Sequence, residues 1–259
     1  MLAVRRSESV PERRSSSGFV LPTGQRIVVG VMGSGTTSED HLTRPLGRWL
    51  AELGVDLLTG GGPGVMESVS KSFASVEGRR GIIMGVIPAS SGDDLQRQKL
   101  FNERQVRRTW GPSPVIVPEL PVPPEGYPNK YVEMPIYTHM PISVSSGMDP
   151  MSRNHINILT STIVIALPGG PGTHSELRLA AIYKKPLIAF LGEEGHIVGL
   201  ETYDSTPVAR TLDEVKAFVL RHIFICSVEN EDTHADKDDD PNRECDDSPF
   251  EPQRSASSY

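Results

Sequence analysis

Between Thr162 and Lys184 the chain reads TIVIALPGGPGTHSELRLAAIYK, an apolar run that enters a glycine-rich turn and leaves it as a helix. No other stretch constrains the fold as much. Thr162 to Leu167 is short, rich in β-branched residues and free of charge, the composition of a strand buried on both faces of a parallel sheet. Pro168 has no N–H to donate and ends the ladder. Gly169, Gly170 and Gly172 allow a tight turn with its backbone close to a ligand, and Thr173 is placed to cap the following helix. Free N–H groups at a positive helix end form a phosphate site.

The same unit recurs upstream. Arg26 to Met32 reads as a first strand that ends in Gly33-Ser34-Gly35-Thr36-Thr37, followed from about Glu39 by a helix with Leu42, Leu46, Trp49, Leu50 and Leu53 at helical spacing. Pro45 lies inside that pattern, so the spacing also allows a start there. Val55 to Thr59 is a second strand, opening onto Gly60-Gly61-Gly62-Pro63-Gly64 and a helix carrying Val65, Met66, Val69 and Phe73. Gly81 to Ile87 is a third, ended by Pro88. Strands separated by helices of crossover length call for an α/β fold, a Rossmann-like doubly wound parallel sheet in a single domain. Tyr131 to Tyr137 reads as a fourth strand, Met151 to Leu159 as a helix, Pro186 to Leu191 as a further strand and Thr211 to Ile223 as a closing helix. Residues 1–25 read as a disordered arm, 26–228 as the domain, 89–130 as an insertion or lid, and 229–259 as a disordered acidic tail.

That tail holds eleven acidic and three basic side chains, about −8 of the net charge of −7, so the remainder is close to neutral. A near-neutral domain has no electrostatic footprint for nucleic acid. No run approaches the roughly 20 apolar residues of a membrane helix. With two cysteines, Cys226 and Cys245, a disulfide framework is not expected and a reducing, cytoplasmic compartment is.

Three small-residue turns at strand ends should converge on one edge of the sheet and suit a phosphorylated small molecule. The dinucleotide fingerprint and the lysine-bearing phosphate loop are absent. The seven histidines have no metal-ligand spacing, so no metal site is expected. Glu176 stands three residues after Thr173, which is both the spacing of a capping box and one helical turn from the phosphate turn. Arg153, isolated in MSRNHINI, is placed to face the same site.

PGGPGTHSE, residues 168–176, resembles the PGG-x-GT-x-x-E motif of the LOG family, the cytokinin riboside 5′-monophosphate phosphoribohydrolases once labelled lysine decarboxylases. GGGPGVM and GSGTTSE resemble that family's turns after its second and first strands. The resemblance covers roughly residues 26 to 224. It implies that Gly169, Gly170, Gly172 and Thr173 bind a nucleotide phosphate, beside Gly33, Ser34, Gly60, Gly61 and Gly62 of the converging turns, and that Glu176 and Arg153 cleave an N-glycosidic bond to give free base and ribose 5-phosphate. It further implies a homo-oligomer, dimer or tetramer, and no required cofactor. Arg153-Asn154, the GPGT-x-SE form of the turn and YVEMPIYT look more like a sister group that includes the molybdenum-cofactor carrier proteins, which bind a phosphorylated pterin without turning it over. The expected function is therefore phosphoribohydrolase or, as the alternative, a non-catalytic binder of a nucleotide or phosphorylated pterin.

Overall fold

The computed structural model describes residues 25–90, 122–141, 147–200 and 206–235. Seven strands form one sheet: β1 (Val28–Met32), β2 (Asp56–Thr59), β3 (Ile83–Ala89), β4 (Met134–Pro141), β5 (Ile163–Ala166), β6 (Leu187–Phe190) and β7 (Val208–Ala209). Their spatial order is β4-β3-β2-β1-β5-β6-β7, and every pairing is parallel. Five helices cover it: α1 (Asp40–Leu53), α2 (Val65–Ala74), α3 (Asn154–Thr160), α4 (Pro171–Ile182) and α5 (Leu212–Ala235).

Successive residues of a strand point to opposite faces, and here both faces are buried. Val29, Val31, Ile163 and Ile165 pack with Leu46 and Leu50 of α1, Val69 and Phe73 of α2, and Val215 and Val219 of α5. Met32, Val164 and Ala166 pack on the other side with Ile158 of α3 and Leu177 and Ala180 of α4. Helices on both faces make the fold a doubly wound α/β one.

Close packing of α1 on α2 depends on Gly47, where a Cβ would stand 2.6 Å from the carbonyl oxygen of Val69 and 3.1 Å from the amide of Phe73. At the N-terminal end of the sheet Asp56, only 3% exposed, accepts Arg26 Nε at 2.5 Å, Arg26 Nη2 at 2.6 Å and the Ile82 amide at 2.8 Å. Its interior charge is thus paired and hydrogen-bonded, as a buried carboxylate must be.

Several element boundaries differ from those read in the sequence. α1 begins at Asp40 and runs through Pro45. A proline that near the start removes one bond, and buried Leu42, Leu46 and Leu50 hold the helix on the sheet. β3 continues through Pro88 to Ala89, and its pairing with β4 shifts register between Ile87 and Ala89, where the missing N–H is tolerated. β4 lies at 134–141 rather than 131–137, and α3 starts three residues later than expected. β7 adds a short edge strand. α5 extends to Ala235, past residue 228, so the first residues assigned to the acidic tail are helical. The arm at 1–24, most of the insertion at 91–121 and the tail from 236 lie outside the described residues.

Candidate functional site

β1 and β5 are neighbours, and the chain proceeds from them toward opposite edges of the sheet. Ligands of open parallel sheets bind at such a reversal, outside the carboxyl ends of the two strands. The turn after β1 and the turn after β5 meet there, joined by the Ser34 amide donating to the Pro168 carbonyl at 3.1 Å. The Ser34 hydroxyl shapes its own turn, accepting the amides of Thr36 and Thr37 at 3.1 Å each. Between and above these turns lies a cavity of about 610 Å³ whose wall includes Ser34, Tyr127, Arg153, Gly172, Thr173 and Glu176.

Gly170 precedes α4 and Pro171 is its first residue, the position where proline's fixed φ helps and its missing N–H costs nothing. Among the described residues, the amides of Gly170, Gly172 and Thr173 and the hydroxyl of Thr173 have no partner. They are the orphan donors of a helix N-terminus, turned toward the cavity. Gly169 is glycine because a Cβ would lie 2.2 Å from Thr173 Oγ1 and 3.1 Å from the Ser34 amide, and would separate the two turns. Its own amide is engaged by the His196 carbonyl at 3.2 Å.

Since α4 starts at Pro171, Thr173 is its third residue and not its cap, and the capping-box reading of Glu176 has no geometry to support it. Glu176 points instead toward α3, where Asn157 Nδ2 donates to Oε1 at 3.2 Å. Burial raises its pKa from 4.5 to about 7, against the opposing pull of Arg153 and of the Asn157 hydrogen bond. Arg153 and Asn157 are one turn apart on the chain and flank this carboxyl together. The Arg153 guanidinium donates to the carbonyls of Gly60 and Val86, and its Cζ lies 5.2 Å from the centre of the Tyr127 ring. Burial lowers its pKa from the usual guanidinium value, with Tyr127 and Glu176 opposing.

Gly33, Ser34, Arg153, Gly170, Gly172, Thr173 and Glu176 all line this cavity, and Gly169 lines an adjoining hollow of about 690 Å³ that shares Ser34 and Gly170. Gly60, Gly61 and Gly62 line neither; they are buried beneath. A Cβ on Gly60 would meet Arg153 at 2.9 Å, one on Gly61 the Ile87 side chain at 2.4 Å, and one on Gly62 the Tyr127 ring at 2.3 Å. Their carbonyls are bonded to Arg153, to the Asn129 amide and to Asn129 Nδ2. The first amide of α2, that of Val65, is taken by the Ser34 carbonyl at 2.9 Å.

Tyr127 and Asn157 are the site residues that sequence reasoning missed. The spacing of Asn157, one helical turn beyond Arg153, was the available signal for the second; Tyr127 had none. His155 is tied to the Tyr183 hydroxyl at 2.7 Å and to the Asp149 carbonyl at 3.1 Å. Among the described residues, no group of three or more His, Cys, Asp or Glu is placed to hold a metal, and no helix is long and apolar enough to cross a membrane.

The fold has known relatives. A molybdenum cofactor carrier protein from Chlamydomonas reinhardtii matches with a TM-score of 0.50 and 25% identity, over 77% of this chain and 99% of that one. The molybdenum cofactor binding protein of the phototrophic bacterium Rippkaea orientalis matches with a TM-score of 0.48 and 23% identity, over 75% and 98% of the two chains. No curated protein matches the sequence. The model of the SLOG cluster4 family matches residues 26–105 and 122–218, which include both turns and every residue of the cleft named above. With more than half its length matched, from the first strand into the last helix, the chain belongs to the SLOG cluster4 family.

Proposed function

We propose that this protein binds a phosphorylated small molecule, of the nucleotide or phosphorylated-pterin class, and holds it without cleaving it. The observation that carries the reading is the open N-terminus of α4, where the amides of Gly170, Gly172 and Thr173 and the Thr173 hydroxyl have no partner among the described residues. Donors of this kind at a positive helix end suit a phosphate. The cavity of about 610 Å³ and its neighbour of about 690 Å³ leave room for the rest of a nucleotide-sized molecule. The molybdenum cofactor carrier of Chlamydomonas reinhardtii, whose fold is similar, supports the carrier role.

The engagement of Arg153 also favours holding over cutting. Its guanidinium donates to two carbonyl oxygens, beside a Glu176 whose pKa burial raises to about 7. The phosphoribohydrolase reading keeps one observation on its side: Glu176 and Arg153 both border the cavity that holds the phosphate turn.

Mass spectrometry of the small molecule released from purified protein, with calorimetric titration of AMP and GMP, tests the proposal. Binding of a phosphorylated ligand without release of free base is the expected result. Base release from a nucleoside monophosphate that disappears in Glu176→Gln would establish the hydrolase instead, and no affinity for any phosphorylated ligand would defeat both readings.

A further inference from the structure

Between α1 and α2 runs a third hollow, of about 870 Å³, with Lys130 and Tyr131 at its side. Its charge is opposite to that of the chain, whose net charge is −7. Arg44, Arg48, Lys71 and Lys130 line it against two carboxylates, Asp40 and Glu67. Asp40 is already engaged, by the Arg44 guanidinium and by the Ser68 hydroxyl at 2.8 Å. Arg48, Lys71 and Lys130 are exposed and have no carboxylate partner among the described residues. The hydroxyls of Ser72 and Ser75 donate to backbone carbonyls at 2.5 and 2.6 Å, so the groove presents its cations rather than its serines.

An acidic segment fits this groove, and the chain carries one. Residues 236–259, outside the described residues, contain eight acidic and three basic side chains. They follow α5, which packs on the same face of the sheet as α1 and α2. Twenty-four residues reach at most about 80 Å, against about 21 Å for the length of α1. Three unpaired cations beside one free carboxylate are too few for a nucleic-acid backbone in a chain of pI about 5.5.

We propose that the acidic C-terminal segment, residues 236–259, docks in the basic groove between α1 and α2. Exposed ion pairs are individually weak, so the docking relies on tethering, which sets a local concentration of about millimolar order, and it is sensitive to salt. The groove meets the ligand cleft at Thr36, which lines both.

Cys245 lies within the segment and makes the test direct. In full-length protein carrying Cys226→Ser, a nitroxide on Cys245 should broaden the amide resonances of residues 44, 46–48 and 67–75 at low ionic strength. The broadening should disappear at about 1 M salt, where the screening length falls to about 3 Å. It should also disappear in Arg48→Glu/Lys71→Glu. A second variant, Asp238→Asn/Asp239→Asn/Asp240→Asn, changes no residue of the groove and should weaken the broadening as well. Broadening spread evenly over the surface, or unchanged by salt and by both variants, would overturn the proposal. So would broadening of isotope-labelled protein only by a spin-labelled second copy, which would make a neighbouring chain's tail the occupant.

Discussion

Replacing Glu176 by glutamine should make the protein more stable at alkaline pH and leave it unchanged in acid. In the unfolded chain the carboxyl titrates near 4.5, and in the folded protein near 7, because burial disfavours its charge. The folded state therefore holds the proton more tightly. Stability from this group is fully present below pH 4.5, is lost as the pH rises toward 7 and is flat above. The gap between 4.5 and about 7 corresponds to about 3 kcal/mol. The side chain is partly exposed, and solvent screening reduces the effect to about 2–3 kcal/mol. Glutamine imitates the protonated acid and keeps an oxygen for Asn157 Nδ2, so it does not pay the cost of ionisation. Urea unfolding of wild type and Glu176→Gln from pH 4.5 to 8 reads the difference. Asp40, Glu133 and Glu214, whose pKa values are lowered, titrate in both proteins and cancel in the comparison. A stability difference that does not vary with pH, or a variant weaker than wild type at pH 8, would refute the burial argument.

Gly169→Ala, whose Cβ would lie 2.2 Å from Thr173 Oγ1, should separate the two turns and lower affinity for AMP at least about tenfold, a loss of about 1.4 kcal/mol, by calorimetry. Asp56→Ala removes the partner of Arg26 and of the Ile82 amide at the opposite end of the sheet. It should reduce unfolding free energy by about 1–3 kcal/mol while leaving AMP affinity intact. Gly47→Ala drives a methyl group into the α2 backbone, 2.6 Å from the Val69 carbonyl, and should destabilise by about 1–3 kcal/mol in thermal unfolding, again without changing affinity.

What the sequence could convey, and what it could not, divides along local and long-range lines. The run from Thr162 to Leu167 was legible as a strand because a charge-free, β-branched hexamer has few other places to go. Turn positions were legible from glycine, but not their purpose. Gly169 and Gly60 carry the same signal, freedom for something to come close. At Gly169 the neighbours are Thr173 and the turn after β1, whereas at Gly60 to Gly62 they are Arg153, Ile87 and Tyr127. Groups that approach from 26 to 93 residues away leave no local trace. Thr173 was read as a cap because threonine caps helices well; Pro171 at the first helical position was the better indicator. Arg153 was legible as a lone charge in a stretch otherwise poor in charge, but its carbonyl partners on Gly60 and Val86 depend on the sheet order and could not be read from spacing.

Ser34 has a consequence for how this molecule transmits force. Its amide holds the turn after β5, its hydroxyl holds the entry to α1, and its carbonyl holds the first amide of α2. A single rigid peptide unit on either side of one residue thus pins three otherwise separate loops. Whatever shifts Pro168 when a ligand settles on the N-terminus of α4 must either break a hydrogen bond or drag both α1 and α2 along. Through Ser34 the cleft is thus tied mechanically to the starts of both α1 and α2.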